Sequence, residues 1–258
     1  MDRAARISQL KSLLRKDIDY LCRRYDRGWI KPIARTLKEI REAKLPAVFF
    51  GGTIRSLLFS RLWKARLGRP RDLDIVVAGG DVDLLRDRFR ELIARETRFG
   101  GLKLRRENWQ FDVWPVQRTW AFVQEQAGPP EFASLPATTF FNLESIAIDA
   151  WVEPGQPRAI YSGDDRFFDG LITRTLEINL EENPFPTLCV VRSLVMAAGG
   201  DFSIGPHLAR YLTRHGSTVT GSELEDVQRH HYGVIRHKGD TMVRWLEHIS
   251  DFHSRDSQ

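Results

Sequence analysis

The stretch Val48-Phe49-Phe50-Gly51-Gly52-Thr53-Ile54-Arg55-Ser56-Leu57-Leu58 and its sequel Arg71-Asp72-Leu73-Asp74-Ile75-Val76-Val77 decide how this chain is read. An apolar run from Pro46 to Phe50 ends in a glycine pair, and Ile54, Leu57 and Leu58 then fall at helical spacing. The first stretch therefore predicts strand, glycine turn and helix. The second predicts a strand that two carboxylates open and Gly79-Gly80 closes. Between them, residues 59–70 are rich in Arg and Lys.

Downstream, Asp81 stands where an N-cap belongs, before a helix with Leu84, Leu85, Phe89, Leu92 and Ile93 on one apolar face. Residues 101–116 read as two strands, the second being Gln110–Val116, residues 125–137 as a Pro-rich loop, and Ile146–Trp151 as a further strand. From about Pro184 the pattern is helical to the end, with Ser222 and Glu225 spaced as a capping box and Met242, Trp245, Leu246 and Ile249 as a last apolar stripe. Upstream, Ile7, Leu10, Leu14, Ile18 and Leu21, then Ile30, Ile33, Leu37 and Ile40, predict two amphipathic helices. The class is mixed α/β. A head domain at 46–180 is expected between a basic helical segment at 1–45 and a helical, neck-like domain at 181–258.

The 258 residues are 42% hydrophobic and 28% charged, which excludes a disordered or fibrous chain. A chain of this length buries enough surface to fold without a disulfide or structural metal. The two cysteines, Cys22 and Cys189, have neither a Cys-x-x-Cys nor a Cys/His spacing. The seven histidines, all beyond residue 206, show no His-Glu-x-x-His spacing. No apolar run approaches the ~20 residues that span a bilayer, so a cytoplasmic protein without membrane partners is expected. Net charge is +5. Residues 1–44 hold 13 Lys and Arg against 6 Asp and Glu, so the positive excess sits on the first two helices. Their charged faces read either as a nucleic-acid surface or as a solvated exterior.

Two glycines at a helix N-terminus let the backbone approach a phosphate, and the helix amides and dipole add positive potential. Arg55, one turn in, can add a charge-assisted contact. Asp72 and Asp74 alternate along a strand and project to one face, where two carboxylates repel unless a cation joins them. Hard oxygen ligands suit Mg²⁺. Asp112, from a neighbouring strand, would complete a two-metal site that activates a hydroxyl and neutralises a leaving pyrophosphate. Each feature has a plainer reading: a tight turn, a solvated strand edge, a structural carboxylate. Trp109, Trp114, Trp120 and Trp151 fall near these residues and read either as base-stacking platforms or as sheet packing.

In their order, these motifs resemble the head domain of the class II tRNA nucleotidyltransferases and bacterial poly(A) polymerases, the CCA-adding enzymes of the polymerase β-like superfamily. Residues 48–58 are similar to the family's Gly-Gly-x-x-Arg-Asp-x-Leu-Leu, and residues 71–77 to its Asp-x-Asp strand. Weaker echoes at Asn142–Asp149, Phe168–Arg174 and Glu182–Arg192 extend the resemblance over about residues 46–200. It implies Mg²⁺-dependent transfer of a nucleoside monophosphate from an NTP to an acceptor hydroxyl, an RNA such as a tRNA 3′ end. Asp72, Asp74 and Asp112 would be the catalytic metal ligands, and Gly51, Gly52, Arg55, Arg71 and Arg192 would hold the NTP.

The chain departs from that pattern at Ser56, where the family has Asp, and at Glu144, in a segment that has lost two positive charges and the motif Asn. Asn183, Pro186 and Cys189 replace neck residues, two of which read the incoming base. Proline cannot make the bidentate contact of an Arg, so neither base choice nor a full CCA-adding cycle carries over. Two rivals stay open: a catalytically idle RNA- or nucleotide-binding module, and a transferase acting on a small-molecule or protein acceptor.

Overall fold

A computed structural model describes residues 2–23, 31–63, 72–79, 82–152 and 155–255, in two compact units. The first comprises residues 1–139 and 143–168, the second residues 140–142 and 169–258. The basic N-terminal helices fall in the first unit with the sheet, and their apolar stripes are buried there: Ile7, Leu10, Leu14, Ile18 and Leu21, then Ile33, Leu37 and Ile40. Ile30, Arg71 and Asp81 lie outside the described residues.

The first unit runs α1 (Arg3–Arg23), α2 (Lys31–Glu42), β1 (Ala47–Phe50), α3 (Gly52–Trp63), β2 (Leu73–Val77), α4 (Val82–Phe89), β3 (Ile93–Glu96), β4 (Leu102–Arg106), β5 (Trp109–Pro115), α5 (Trp120–Val123), β6 (Ala147–Asp149) and β7 (Ile160–Tyr161). Seven strands form one mixed sheet in the order β3-β4-β5-β2-β1-β6-β7. β2 and β5 are parallel; the other neighbours are antiparallel.

Alternation fixes the faces. Phe49, Leu73, Ile75, Val77, Phe111 and Val113 share one face and are fully buried. The opposite face carries Val48, Val76 and Ala147, which close a second cluster with Val116 and Leu135. Phe50, Asp74, Asp112 and Trp114 continue that face.

Three local expectations shift. The helix from Val82 ends at Phe89; Leu92 lies in a 3-10 turn and Ile93 opens β3, paired with Leu104. The apolar spacing fits a helix or a hairpin equally, and the distant partner strand decides. Residues 132–138 of the expected loop form a 3-10 helix that buries Leu135. The capping box is formed by Thr220 and Glu223 rather than Ser222 and Glu225.

In the second unit, β8 (Thr175–Leu176) pairs with β9 (Ser203–Ile204), and α7 (Pro186–Gly200), α8 (Pro206–Gly216), α9 (Gly221–Tyr232) and α10 (Gly239–Arg255) pack together. The unit boundary falls inside α6 (Arg166–Thr173). Gly221 and Gly239 bring the starts of α9 and α10 into backbone contact: a Cβ on Gly239 would lie 2.1 Å from the Gly221 carbonyl oxygen. Among the described residues, no helix is long and apolar enough to cross a membrane.

Candidate active site

The glycine turn leads from β1 into α3. Gly51 has φ +63°, a left-handed conformation that glycine adopts without strain. Its N–H donates to Ile146 O at 3.0 Å, and its carbonyl accepts from the amides of Ile54 and Arg55 at 3.1 and 3.3 Å. Gly51 is thus committed to the turn. The amides of Gly52 and Thr53, in the first turn of α3, have no intrahelical acceptor. A Cβ on Gly52 would make only ordinary contact, 3.5 Å from the Arg55 guanidinium, so space does not demand glycine there. Ser56, in place of the family's Asp, turns its hydroxyl back to the Gly52 carbonyl at 3.1 Å.

The acids gather at the end of the central strands. Register sets Asp74 beside Asp112 on parallel β2 and β5, and opposite Phe50 on β1. Asp72 lies just before β2, where its carbonyl accepts the Thr53 hydroxyl at 3.4 Å. Phe50 and Trp114 meet edge to face at 6.2 Å and form an apolar wall on the same face of the sheet. Burial there pushes the Asp74 carboxyl well above the usual carboxylate range, and the charges of Asp72, Asp112 and Glu144 push it further. Lys103 opposes the shift.

Lys103 and Glu144 were not singled out from the sequence as members of the site. Lys103 stands opposite Asp112 on antiparallel β4 and pairs with its carboxylate. Glu144 accepts a charge-assisted hydrogen bond from Arg55 Nη1 at 3.0 Å, with both side chains about 15% exposed. The only sequence sign of Lys103 was its place between Leu102 and Leu104 in an alternating strand. That of Glu144 was the departure from the family motif.

The structure therefore brings Asp72, Asp74, Asp112, Gly51, Gly52 and Arg55 together in the first unit. Arg71 falls outside the described residues. Arg192 lies on α7 in the second unit, its guanidinium 5.2 Å from the Phe141 ring centroid. Trp109 is buried at 3% exposure and serves packing, whereas Trp114 is fixed by donating its indole N–H to Thr119 at 3.0 Å. A cavity of about 160 Å³ beside Asp112 is lined by Trp114, Trp120, Arg118 and Phe99.

Among the described residues, no group of three or more His, Cys, Asp or Glu side chains is arranged to hold a metal ion as it stands. Two of the four acids are instead engaged by cations of the protein, Asp112 by Lys103 and Glu144 by Arg55. The donor set still fits a hard divalent cation in kind. Three crowded carboxylates raise the affinity of Asp74 for a proton, and a cation in the proton's place relieves the same repulsion.

No protein-family model matches the chain, and no curated protein does. Solved structures do. A CCA-adding enzyme in complex with ATP superposes with a TM-score of 0.60 at 17% identity, over 90% of this chain and 53% of that one. The Thermotoga maritima CCA-adding enzyme complexed with tRNA gives 0.57 at 17% identity, over 90% and 53%. The fold is that of the CCA-adding enzymes. A tRNA nucleotidyltransferase complexed with a primer tRNA and an incoming ATP analogue agrees at 0.54 and 16% identity, over 83% of this chain and 60% of that one. The chain thus spans little more than half the length of the CCA-adding structures it matches.

Proposed function

We propose that the protein is a nucleotidyltransferase that moves a nucleoside monophosphate from an NTP to an acceptor hydroxyl, with an RNA 3′ end as the acceptor. The observation that carries this reading is the pairing of Asp74 with Asp112 across parallel strands, beside Asp72 and the α3 turn. A binding module gains nothing from carboxylates crowded where a polyphosphate must lie. The superposed enzymes, with bound ATP or tRNA, support the same choice of substrates.

In this reading Asp72, Asp74 and Asp112 would hold Mg²⁺, which would lower the pKa of the attacking hydroxyl and neutralise the pyrophosphate. The Gly52 and Thr53 amides cradle phosphate oxygens at the positive end of α3. Arg55 adds a guanidinium contact to the triphosphate. Lys103 holds Asp112 in place through their ion pair. The aromatic cavity beside Asp112 offers a stacking surface to a base.

The test is incubation with Mg²⁺, each α-labelled NTP in turn and total RNA, against Asp74→Ala as control. The expected result is label on RNA of tRNA size, reduced at least ~10²-fold in the variant. Label on protein or small molecules would keep the chemistry and replace the acceptor. The ion pairs Lys103–Asp112 and Arg55–Glu144 favour one rival, an idle nucleotide-binding module. That rival holds if folded protein binds NTP without any transfer beyond the control.

A further inference from the structure

The Arg55–Glu144 pair couples the two halves of the site. Arg55 projects from the first turn of α3, and its guanidinium folds back toward Gly52, 3.5 Å from where a Cβ would stand. It therefore lies over the backbone that receives phosphate in the proposed reaction. A carboxylate already occupies it: Glu144 Oε1 accepts from Nη1 at 3.0 Å, with about 15% of each side chain exposed. A charge-assisted bond so shielded from water is not screened away as a surface pair is.

The backbone behind Glu144 is fixed. Ile146 N–H donates to the Glu144 carbonyl at 2.8 Å, Gly51 N–H donates to the Ile146 carbonyl at 3.0 Å, and a Cβ on Gly51 would lie 3.7 Å from the Glu144 carbonyl. The segment is tied to the glycine turn, so the pair opens by rotation of the Glu144 or the Arg55 side chain and not by movement of the backbone. The paired arrangement is the one the structure shows without a ligand.

We infer that Glu144 is an internal stand-in for the triphosphate: it occupies Arg55 in the resting protein, must be displaced when a polyphosphate binds, and thereby sets nucleotide affinity. The inference rests on the proposed function in taking Arg55 as a phosphate contact, yet it concerns binding alone. Glu144 is a specificity-setting residue in this scheme and takes no part in the chemistry.

The test uses inorganic tripolyphosphate as probe, followed by titration calorimetry at fixed ionic strength in a double-mutant cycle. Glu144→Gln keeps the shape of the side chain and removes its charge, and is expected to bind tripolyphosphate about tenfold tighter than the wild type. In an Arg55→Ala background the same change should alter affinity less than about twofold. No gain in Glu144→Gln overturns the inference. An equal gain in both backgrounds also overturns it, since the effect would then be general relief of negative charge. Should either variant fail to fold, the wild type decides: the Glu144 carboxyl carbon resonance shifts as tripolyphosphate is added, and its standing still while the probe binds refutes the displacement. Failure of the transferase assay with this cycle intact would remove the proposed reaction and leave the stand-in in place.

Discussion

Asp74 opposes folding at neutral pH. Its carboxyl binds a proton more tightly in the folded chain than in the unfolded one, where it titrates near its ordinary value of 3.8. The stability linked to that proton is complete below the unfolded value and is lost as pH rises through the raised folded one. Asp74→Asn therefore stabilises the protein once the pH exceeds that range, by about 2–4 °C if the relief is about 1 kcal/mol, and the gain vanishes in acid. Thermal melts of both proteins across pH check this, and a constant difference at all pH values contradicts it. The same variant loses transfer, so stability and activity move in opposite directions. The two glycines separate in a similar way. Gly51→Ala forces a side chain into φ +63° and destabilises by about 1 kcal/mol or more. Gly52→Ala has room for its methyl and leaves the melting temperature nearly unchanged, while a methyl beside the first amides of α3 weakens tripolyphosphate binding several-fold. Calorimetric binding beside thermal melts tests both halves of that contrast.

At the scale of elements, Thr220-Gly221-Ser222-Glu223-Leu224-Glu225 offers two overlapping frames for a capping box. The Gly221–Gly239 contact accompanies the Thr220 frame, with α9 starting at Gly221 itself and Thr220 Oγ1 accepting from Glu223 N–H at 3.3 Å. Thr220→Ala is expected to destabilise by about 1 kcal/mol, and Ser222→Ala by no more than a few tenths. Paired denaturant melts reporting equal losses would refute the assignment of the cap. This pair of frames also marks the limit of what sequence conveys. β1, α3, β2 and β5 were legible because each carries its own periodicity, and Asp72 and Asp74 because they alternate along one stretch, whereas Asp112 reaches Asp74 through the parallel register of β2 and β5. Ile93 was not, since its strand exists only through pairing with Leu104. Lys103 and Glu144 were hidden for the same reason, each being defined by a partner carboxylate or guanidinium distant in sequence. Local pattern names the acids, whereas the cations that restrain them come from tertiary register.

At the scale of the whole molecule, the positive excess of residues 1–44 is partly consumed within the first unit. Lys11 pairs with Asp165 at 2.8 Å, and Arg15 donates to the Arg158 carbonyl at 2.9 Å. α1 and α2 bury their apolar stripes, α1 packing on α2 and α3, and leave Lys16, Lys31 and Arg35 as exposed cations. If RNA is the acceptor, such side chains neutralise phosphates, and each phosphate contact steepens the salt dependence of binding by about one unit of logarithmic slope. Lys31→Ala/Arg35→Ala on α2 is therefore expected to weaken tRNA binding and to reduce that slope by about 2. Filter binding of tRNA from low to physiological salt measures both quantities together. A slope equal to that of the wild type would assign these residues to a solvated helix exterior. The site would then have to draw its acceptor by other means, because the acids gathered around Asp74 repel the polyanion that this fold is proposed to extend.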